Sequence, residues 1–243
     1  MTIAKPGSNF WRNLSRPRHL GMLSYAEVRG GGGDTPEWLP EGAVAYADFV
    51  NGHYYAGGAE TTAGAVFESE TVNAVDYIPA NIVAASGYES DAAVSCGAKF
   101  TDAVLTEIGN EFTIVVEFSK AVNDKGFYFE FFDDPAWEKD YVFRVTGEVS
   151  GSGVLNYSSG GTTDVTLGQI ATGAGKAAFT LSTNMVMSIN GSAIIDVPAS
   201  GSGFNIGYFA MSSTASQGDI ILKSITVYAA KPDGDLPTLS AIA

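Results

Sequence analysis

Hydrophobic and polar residues alternate with a period of two in two clear stretches of the chain, 111–120 and 125–133. In EFTIVVEFSK (111–120), Phe112, Ile114, Val116 and Phe118 occupy every second position, with mostly polar residues between them. Alternation of this kind predicts a β-strand with one buried face. No stretch keeps the helical period of 3.6 residues over a useful length, so the pattern predicts strands almost throughout.

The same alternation predicts a series of further strands, with turn residues such as Gly, Asn, Ser and Asp between them. NGHYYAGG is interpreted as a turn followed by a strand, and the other predicted strands cover residues 42–50, 81–86, 92–100, 125–133, 141–149, 153–159, 163–170, 177–183, 185–190, 192–198, 204–210 and 218–229. The pair Asn190-Gly191 favours a two-residue hairpin turn. Short strands at regular spacing predict an all-β fold, an antiparallel jelly-roll sandwich.

The glycine run Gly30–Gly33 divides the chain into two predicted parts. Residues 34–243 are the sandwich domain, and residues 1–33 are an extended basic arm ending in a flexible joint. A tail exposed to solvent has no need of large apolar side chains, so we expect the arm to bury them against a partner. The candidate anchoring residues are Phe10, Trp11, Arg12, Arg16, Arg18, Met22, Leu23 and Tyr25. The alternative is that the arm packs on its own domain.

Charge is distributed unevenly between these two parts. The chain has 243 residues and a net charge of −14; the arm holds five Lys or Arg and one acid (+4), and the remainder holds eight bases and 26 acids (−18). Such an acidic body repels phosphates, so no nucleic-acid partner is expected.

The single cysteine, Cys96, excludes a disulfide framework within the chain. No apolar run is long enough for a membrane span, and no signal peptide is visible, which favours synthesis in a host cytoplasm without export.

Two segments carry a resemblance to a known family. KAAFTLSTNMVMSINGSAIIDVP (176–198), through Thr180, Ser188, Asn190 and Gly191, resembles laminin-G-like, concanavalin-type jelly rolls. The ending of the chain resembles the same fold. There Ile206-Gly207 leads to a last strand with Leu222, Ile225, Val227 and Tyr228, followed by a tail with Leu236 and Leu239.

This form of the domain looks most similar to those of tailed-phage virion proteins. The resemblance implies a non-enzymatic structural subunit located in the virion, either a capsid decoration, a head fibre or a tail accessory, with virion proteins as partners. For a displayed knob the natural expectation is a homo-oligomer such as a trimer, yet no heptad repeat supports one. The alternative is a lectin-like adhesion module that binds a glycan of the host surface.

A glycan-cleaving enzyme is the least favoured hypothesis, because the acidic triplet E-x-D-x-E of jelly-roll hydrolases is absent. The nearest stretch is FEFFDDPAWEKD, where Phe132 separates Glu130 from Asp134 and Pro135 ends the strand. His19 and His53 have no nucleophile motif nearby. The sequence therefore predicts no enzyme and no cofactor.

Two further groups of residues are candidates for binding. Acidic side chains in one predicted loop form either a solvated loop or a weak calcium site: Asp133, Asp134, Glu138 and Asp140. Tyr54, Tyr55 and Trp137 are candidate stacking residues for a sugar ring. The alternative for Tyr54 and Tyr55, with His53 beside them, is a packing cluster on an edge strand.

Overall fold

The structure is a computed structural model. It describes residues 35–68, 82–83, 85–89, 96–109, 111–120, 128–132, 141–148, 152–157, 165–171, 173–182, 185–197, 208–212 and 220–242. All of these lie within one compact unit, Gly33–Ala243. The predicted anchoring residues of the arm lie outside the described residues, so the anchor hypothesis stays a prediction.

Ten of the described strands form a larger sheet in which all pairings are antiparallel. Side by side they are β15 (Ile195–Val197), β14 (Met185–Ile189), β13 (Gly173–Leu181), β8 (Phe112–Lys120), β17 (Ile220–Ala229), β1 (Ala43–Asp48), β2 (His53–Ala56) and β3 (Ala59–Glu60). Beyond β1, the same edge of β17 pairs with β6 (Gly87–Glu89), which pairs in turn with β5 (Ile82–Val83).

The remaining seven described strands form a smaller antiparallel sheet. Their order is β12 (Val165–Ala171), β11 (Ser152–Tyr157), β10 (Tyr141–Glu148), β9 (Tyr128–Phe132), β16 (Tyr208–Ser212), β7 (Cys96–Phe100) and β4 (Phe67–Glu68). The helices of the described part are short: α1 (Ala63–Val66), α2 (Asp102–Ile108), α3 (Leu236–Leu239) and a 3-10 turn at Asp233–Asp235. None of them has the length and apolar character needed to cross a membrane.

The two sheets enclose the main hydrophobic core. Phe112 and Phe118 of the larger sheet and Phe67 and Phe100 of the smaller sheet are all fully buried in it. The rings of Phe67 and Phe100 lie 5.1 Å apart. Burying apolar surface at about 25 cal/mol per Å² makes this layer the main source of stability. The predicted fold class, an antiparallel β-sandwich, is confirmed.

The outer face of the larger sheet carries a second, smaller core at one end. There the C-terminal tail (231–242) lies over the strands, and Leu236 is fully buried against residues such as Ala178 and Tyr228. In the described part of the chain this second core covers one end of the outer face, and polar side chains farther along it, such as Asp48 and Glu117, stay partly exposed.

Buried hydroxyl groups tie the tail to the sheet. Thr113 and Thr180 share a hydrogen bond of 2.6 Å, and the backbone N–H of Lys231 donates to Thr113 Oγ1 at 2.9 Å. Ser188 and Ser240 lie 2.9 Å apart, oxygen to oxygen. Each of these four hydroxyl groups thus has a partner, which avoids the cost of leaving it unsatisfied.

Several local predictions agree with the structure and some elements were missed. Asn190 and Gly191 have φ of 49° and 72°, and Ser192 N–H donates to Ile189 O at 2.8 Å, which confirms the hairpin turn. The expectation of strands almost throughout overlooked α2. That helix has only seven residues, and Val104 and Ile108 are its buried positions, too short a pattern to stand out from strand alternation.

We predict that Gly87→Ala lowers the free energy of unfolding by about 3 kcal/mol. At Gly87 φ is +124°, and an added Cβ would lie 2.6 Å from the carbonyl oxygen of Leu222 in β17. Gly57→Ala is the control, because φ there is +61° with no atom within 4 Å, and we expect it to cost about 1 kcal/mol. Urea unfolding of both variants measures the difference; equal losses would contradict the assigned contact.

Candidate functional site

An open groove of about 350 Å³ lies on the uncovered part of the outer face. Its floor is polar and comes from three neighbouring strands of the larger sheet: Tyr46, Asp48, Glu117 and Ser224. Its walls are Val50, Asn51, Ala85, Ser86 and Lys223. We call this cavity the outer groove. Its volume is at the lower end of the range of about 300–1,000 Å³ that is typical of ligand sites.

Strand register places the polar floor in one row. Asp48 of β1 lies opposite Ser224 of β17, and Ser224 lies opposite Glu117 of β8. Directly opposed residues of paired strands point to the same face of a sheet. Asp48 and Glu117 therefore face the groove from strands two apart, with backbones about 9.5 Å from each other.

A β-bulge in β17 brings a charged side chain, that of Lys223, to the groove. The pairing of β17 with β8 shifts between Leu222 and Ser224, so Lys223 is the extra residue. Lys223 and Ser224 both line the groove, while Leu222 and Ile225 are buried in the core. Bulges re-aim side chains in this way and are common beside functional sites.

Asp48 is held rigidly by the turn that follows β1. Its Oδ1 accepts hydrogen bonds from the backbone N–H groups of Val50 and Asn51, both at 3.0 Å. Its Oδ2 accepts one from Asn51 Nδ2 at 2.8 Å. Asp48 thereby fixes the groove wall as well as lining the floor.

Glu117 and Lys223 have different surroundings from Asp48. Neither side chain makes a hydrogen bond or ion pair with any other part of the chain that the structure describes. Lys176, which lies opposite Glu117 on β13, likewise makes no ion pair with it. The groove thus offers one carboxylate and one ammonium group with unused hydrogen-bonding capacity.

Tyr46 supplies a hydroxyl group that stays protonated. Partial burial raises the pKa of the Tyr46 phenol well above its usual value, and the negative charges of Asp48 and Glu117 raise it further. Its hydroxyl lies 3.5 Å from Asp48 Oδ2, a long contact that leaves the O–H available to another acceptor.

A stack of aromatic rings borders the groove at Tyr46. Trp38 stacks on Tyr46 with ring centroids 5.9 Å apart and on His53 with centroids 4.5 Å apart and an interplanar angle of 13°. His53 Nδ1 lies 3.9 Å from Glu60 Oε1. The stack keeps the Tyr46 ring in place and forms an apolar border next to the polar floor.

The residues predicted from sequence to bind sugar or metal are not those of the outer groove. Tyr54 and Tyr55 are 8% and 7% exposed and pack in the two cores, so their rings present little surface to a sugar. Trp137 and the acidic loop residues Asp133, Asp134, Glu138 and Asp140 lie outside the described residues. Their proposed roles stay predictions.

The groove residues were missed because their relation is visible only in the fold. Alternation in β8 already placed Glu117 on the face opposite Phe118. No local pattern links Glu117 with Asp48 or Lys223, which lie far away along the chain. The one local signal is in β17, where Leu222 and Ile225 break the period of two and so indicate a bulge at Lys223.

Comparisons with known proteins bear on the fold. No protein-family model and no curated protein matches the chain. The sialidase of Trypanosoma rangeli in complex with sialic acid is similar at a TM-score of 0.54 with 12% sequence identity, over 83% of this chain and 33% of the sialidase. A galectin of Caenorhabditis elegans is similar over 55% of this chain and 89% of its own, at 14% identity and a TM-score of 0.38.

The sialidase comparison shows a shared β-sandwich fold, and this chain spans about a third of the length of that enzyme. The sequence-based prediction that the chain is not an enzyme is contradicted. The solved structures that share the fold over 83% of this chain are structures of a sialidase, which is an enzyme. That prediction tested for an acidic triplet on one strand. The fold instead brings together carboxylates from separate strands, Asp48 and Glu117, which no single-strand motif reveals.

We predict that Tyr46 makes folding stability fall at high pH. Since the pKa of Tyr46 is raised in the folded state, its contribution is complete below the unfolded pKa of about 10 and is lost as pH rises above it. Tyr46→Phe should therefore have a shallower decline in unfolding free energy between about pH 9 and 11. Denaturant unfolding across this range measures the slopes; identical slopes for both proteins would show that the assigned environment of Tyr46 is wrong.

Proposed function

We propose that the outer groove binds a carbohydrate. The observation that carries this proposal is the convergence of three strands and a bulge on one small polar cavity beside an aromatic border. A sugar ring combines hydroxyl groups that need donors and acceptors with an apolar face that packs on aromatic rings. The polar groups line the groove itself, and of the stacked rings that of Tyr46 lines it with them, while Trp38 and His53 extend the stack beside it.

Each groove residue has a distinct part in this proposal. The unpaired carboxylate of Glu117 accepts hydrogen bonds from sugar hydroxyl groups, and the Lys223 ammonium donates to sugar oxygens. Tyr46 remains a neutral donor and supplies an aromatic edge. Asp48 and Asn51 are already bonded to each other, so they form a prearranged wall that needs no ordering when a ligand enters.

The fold comparison supports this ligand class only as a precedent. The sialidase that shares the sandwich is described in complex with sialic acid, which concerns that protein. At 12% identity no residue role is transferred from it. The choice of a carbohydrate therefore depends on the lining of the groove.

We predict that Glu117→Gln weakens glycan binding about 10- to 100-fold. A hydrogen bond to a charged group contributes about 1.5–3 kcal/mol, which corresponds to that range. A glycan array identifies the ligand, and calorimetric titration of the best glycan measures the affinity of each variant.

Glu111→Gln is the matched control for this experiment. Glu111 is exposed, directly precedes β8 and does not line the groove, so its affinity should equal that of the unchanged protein. Binding to no glycan, or equal affinity of Glu117→Gln and the unchanged protein, would refute the proposal. A reducing-end assay on the same mixtures measures whether the bound glycan is also cleaved.

We propose separately that residues 1–33 anchor the domain to a larger assembly. The support is the difference in charge between residues 1–33, with a net charge of +4, and residues 34–243, with a net charge of −18. Aromatic and arginine side chains, the usual anchors of interfaces, are concentrated in the arm. Location in a virion, assembly with virion proteins and a trimeric state follow only from the sequence resemblance and stay hypotheses.

The anchor is tested by reversing arm charges in the full-length chain. Changing Arg12, Arg16 and Arg18 to Glu should abolish co-sedimentation with the particle or complex from which the chain is recovered, while leaving the circular dichroism spectrum unchanged. Changing Lys139, Lys176 and Lys231 to Glu, outside the arm and equal in charge change, is the control for net charge. Loss of binding in both sets would assign the effect to overall charge instead of the arm.

A further inference from the structure

The charged groups that line the outer groove disfavour an acidic ligand. Two carboxylates, Asp48 and Glu117, line the groove with one ammonium group, that of Lys223. Arginine, whose planar group binds carboxylates in a bidentate manner, is absent from the described residues that line the groove. In the whole chain, Arg144 is the only arginine after residue 29, and it lies on β10 of the other sheet.

The net charge of the whole domain also disfavours an acidic ligand. Residues 34–243 carry a net charge of −18, so a negatively charged sugar approaches against repulsion. On arrival it would displace water from Glu117, which makes no ion pair in the described part of the chain although Lys176 lies opposite it on β13. Placing a second anion beside a carboxylate that is not held in an ion pair costs binding energy.

A neutral sugar meets none of these costs. Its hydroxyl groups donate to the Glu117 carboxylate and accept from Lys223 and Tyr46, so each free polar group of the groove gains a partner. The ammonium group of Lys223 makes no ion pair with either carboxylate in the described part of the chain. A donor and an acceptor thus stay available in the same small cavity.

From these charges we infer that the outer groove selects neutral glycans and rejects glycans with a terminal sugar acid such as sialic acid. The inference depends on the proposed carbohydrate binding and specifies its ligand class. It also sets this chain apart from the sialidase complex with sialic acid that shares its fold. The rejection is electrostatic and comes mainly from Glu117, with Asp48 adding to it.

Matched glycan pairs test the inference on the full-length protein. Each pair carries the same oligosaccharide with and without one terminal sialic acid, and titration gives a ratio of the two affinities. We expect the neutral member to bind at least about 10-fold more tightly at low salt. The ratio should fall toward one as NaCl rises from 0.01 to 1 M, because the Debye length shrinks from about 30 to about 3 Å.

Two variants separate electrostatic rejection from a steric cause. Glu117→Gln keeps the side-chain shape and should lower the ratio several-fold, and Glu117→Lys should lower it further by attracting the acid. Glu111→Gln, outside the groove, should leave it unchanged. A ratio insensitive to both salt and Glu117→Gln would overturn the inference, as would equal or tighter binding of the sialylated member, although carbohydrate binding itself would stand. Binding of neither member refutes the proposed function and the inference with it.

Discussion

The pairing of β17 with its neighbours is the constraint on which the rest of the structure depends. β17 pairs with β8 on one edge and with β1 and then β6 on the other. Its apolar residues Leu222 and Ile225 are three positions apart, so strict alternation would direct them to opposite faces. The bulge at Lys223 restores both to the core, and it thereby brings a charged side chain to the outer face.

Partial coverage of the outer face then separates a stabilising region from an open one. The C-terminal tail is fixed over one end of the sheet by the hydrogen bond from Lys231 N–H to Thr113 and by the hydroxyl pair of Ser188 and Ser240. The polar row Asp48, Ser224 and Glu117 lies beyond it. If Asp48 and Glu117 lay under the tail, their carboxylates would lose water at a large cost in free energy. Their position in the open part of the face avoids that desolvation cost.

The shared sandwich and the groove chemistry carry separate information about function. Similarity to a sialidase over a third of that enzyme shows that the fold occurs in glycan-processing proteins. The proposed ligand of the groove depends on its own side chains, and the described lining holds two carboxylates, one ammonium group and no arginine. The same distinction applies to catalysis. The absence of the E-x-D-x-E triplet from a single strand does not exclude an enzyme, since the carboxylates of Asp48 and Glu117 face one groove from different strands.

The sequence by itself determined the elements and the class of fold. Alternation with a period of two reflects the pleat, so most strands, the Asn190-Gly191 turn and the buried side of β8 were predictable. Short helices such as α2 and two-residue strands were not, because so few residues establish no period. Only the tertiary structure decided the site. Pairing register joins Asp48, Ser224 and Glu117 across the sheet, and such long-range pairing is absent from any local pattern. It also buried Tyr54 and Tyr55, which lie next to each other on the four-residue strand β2, too short for alternation to predict their exposure.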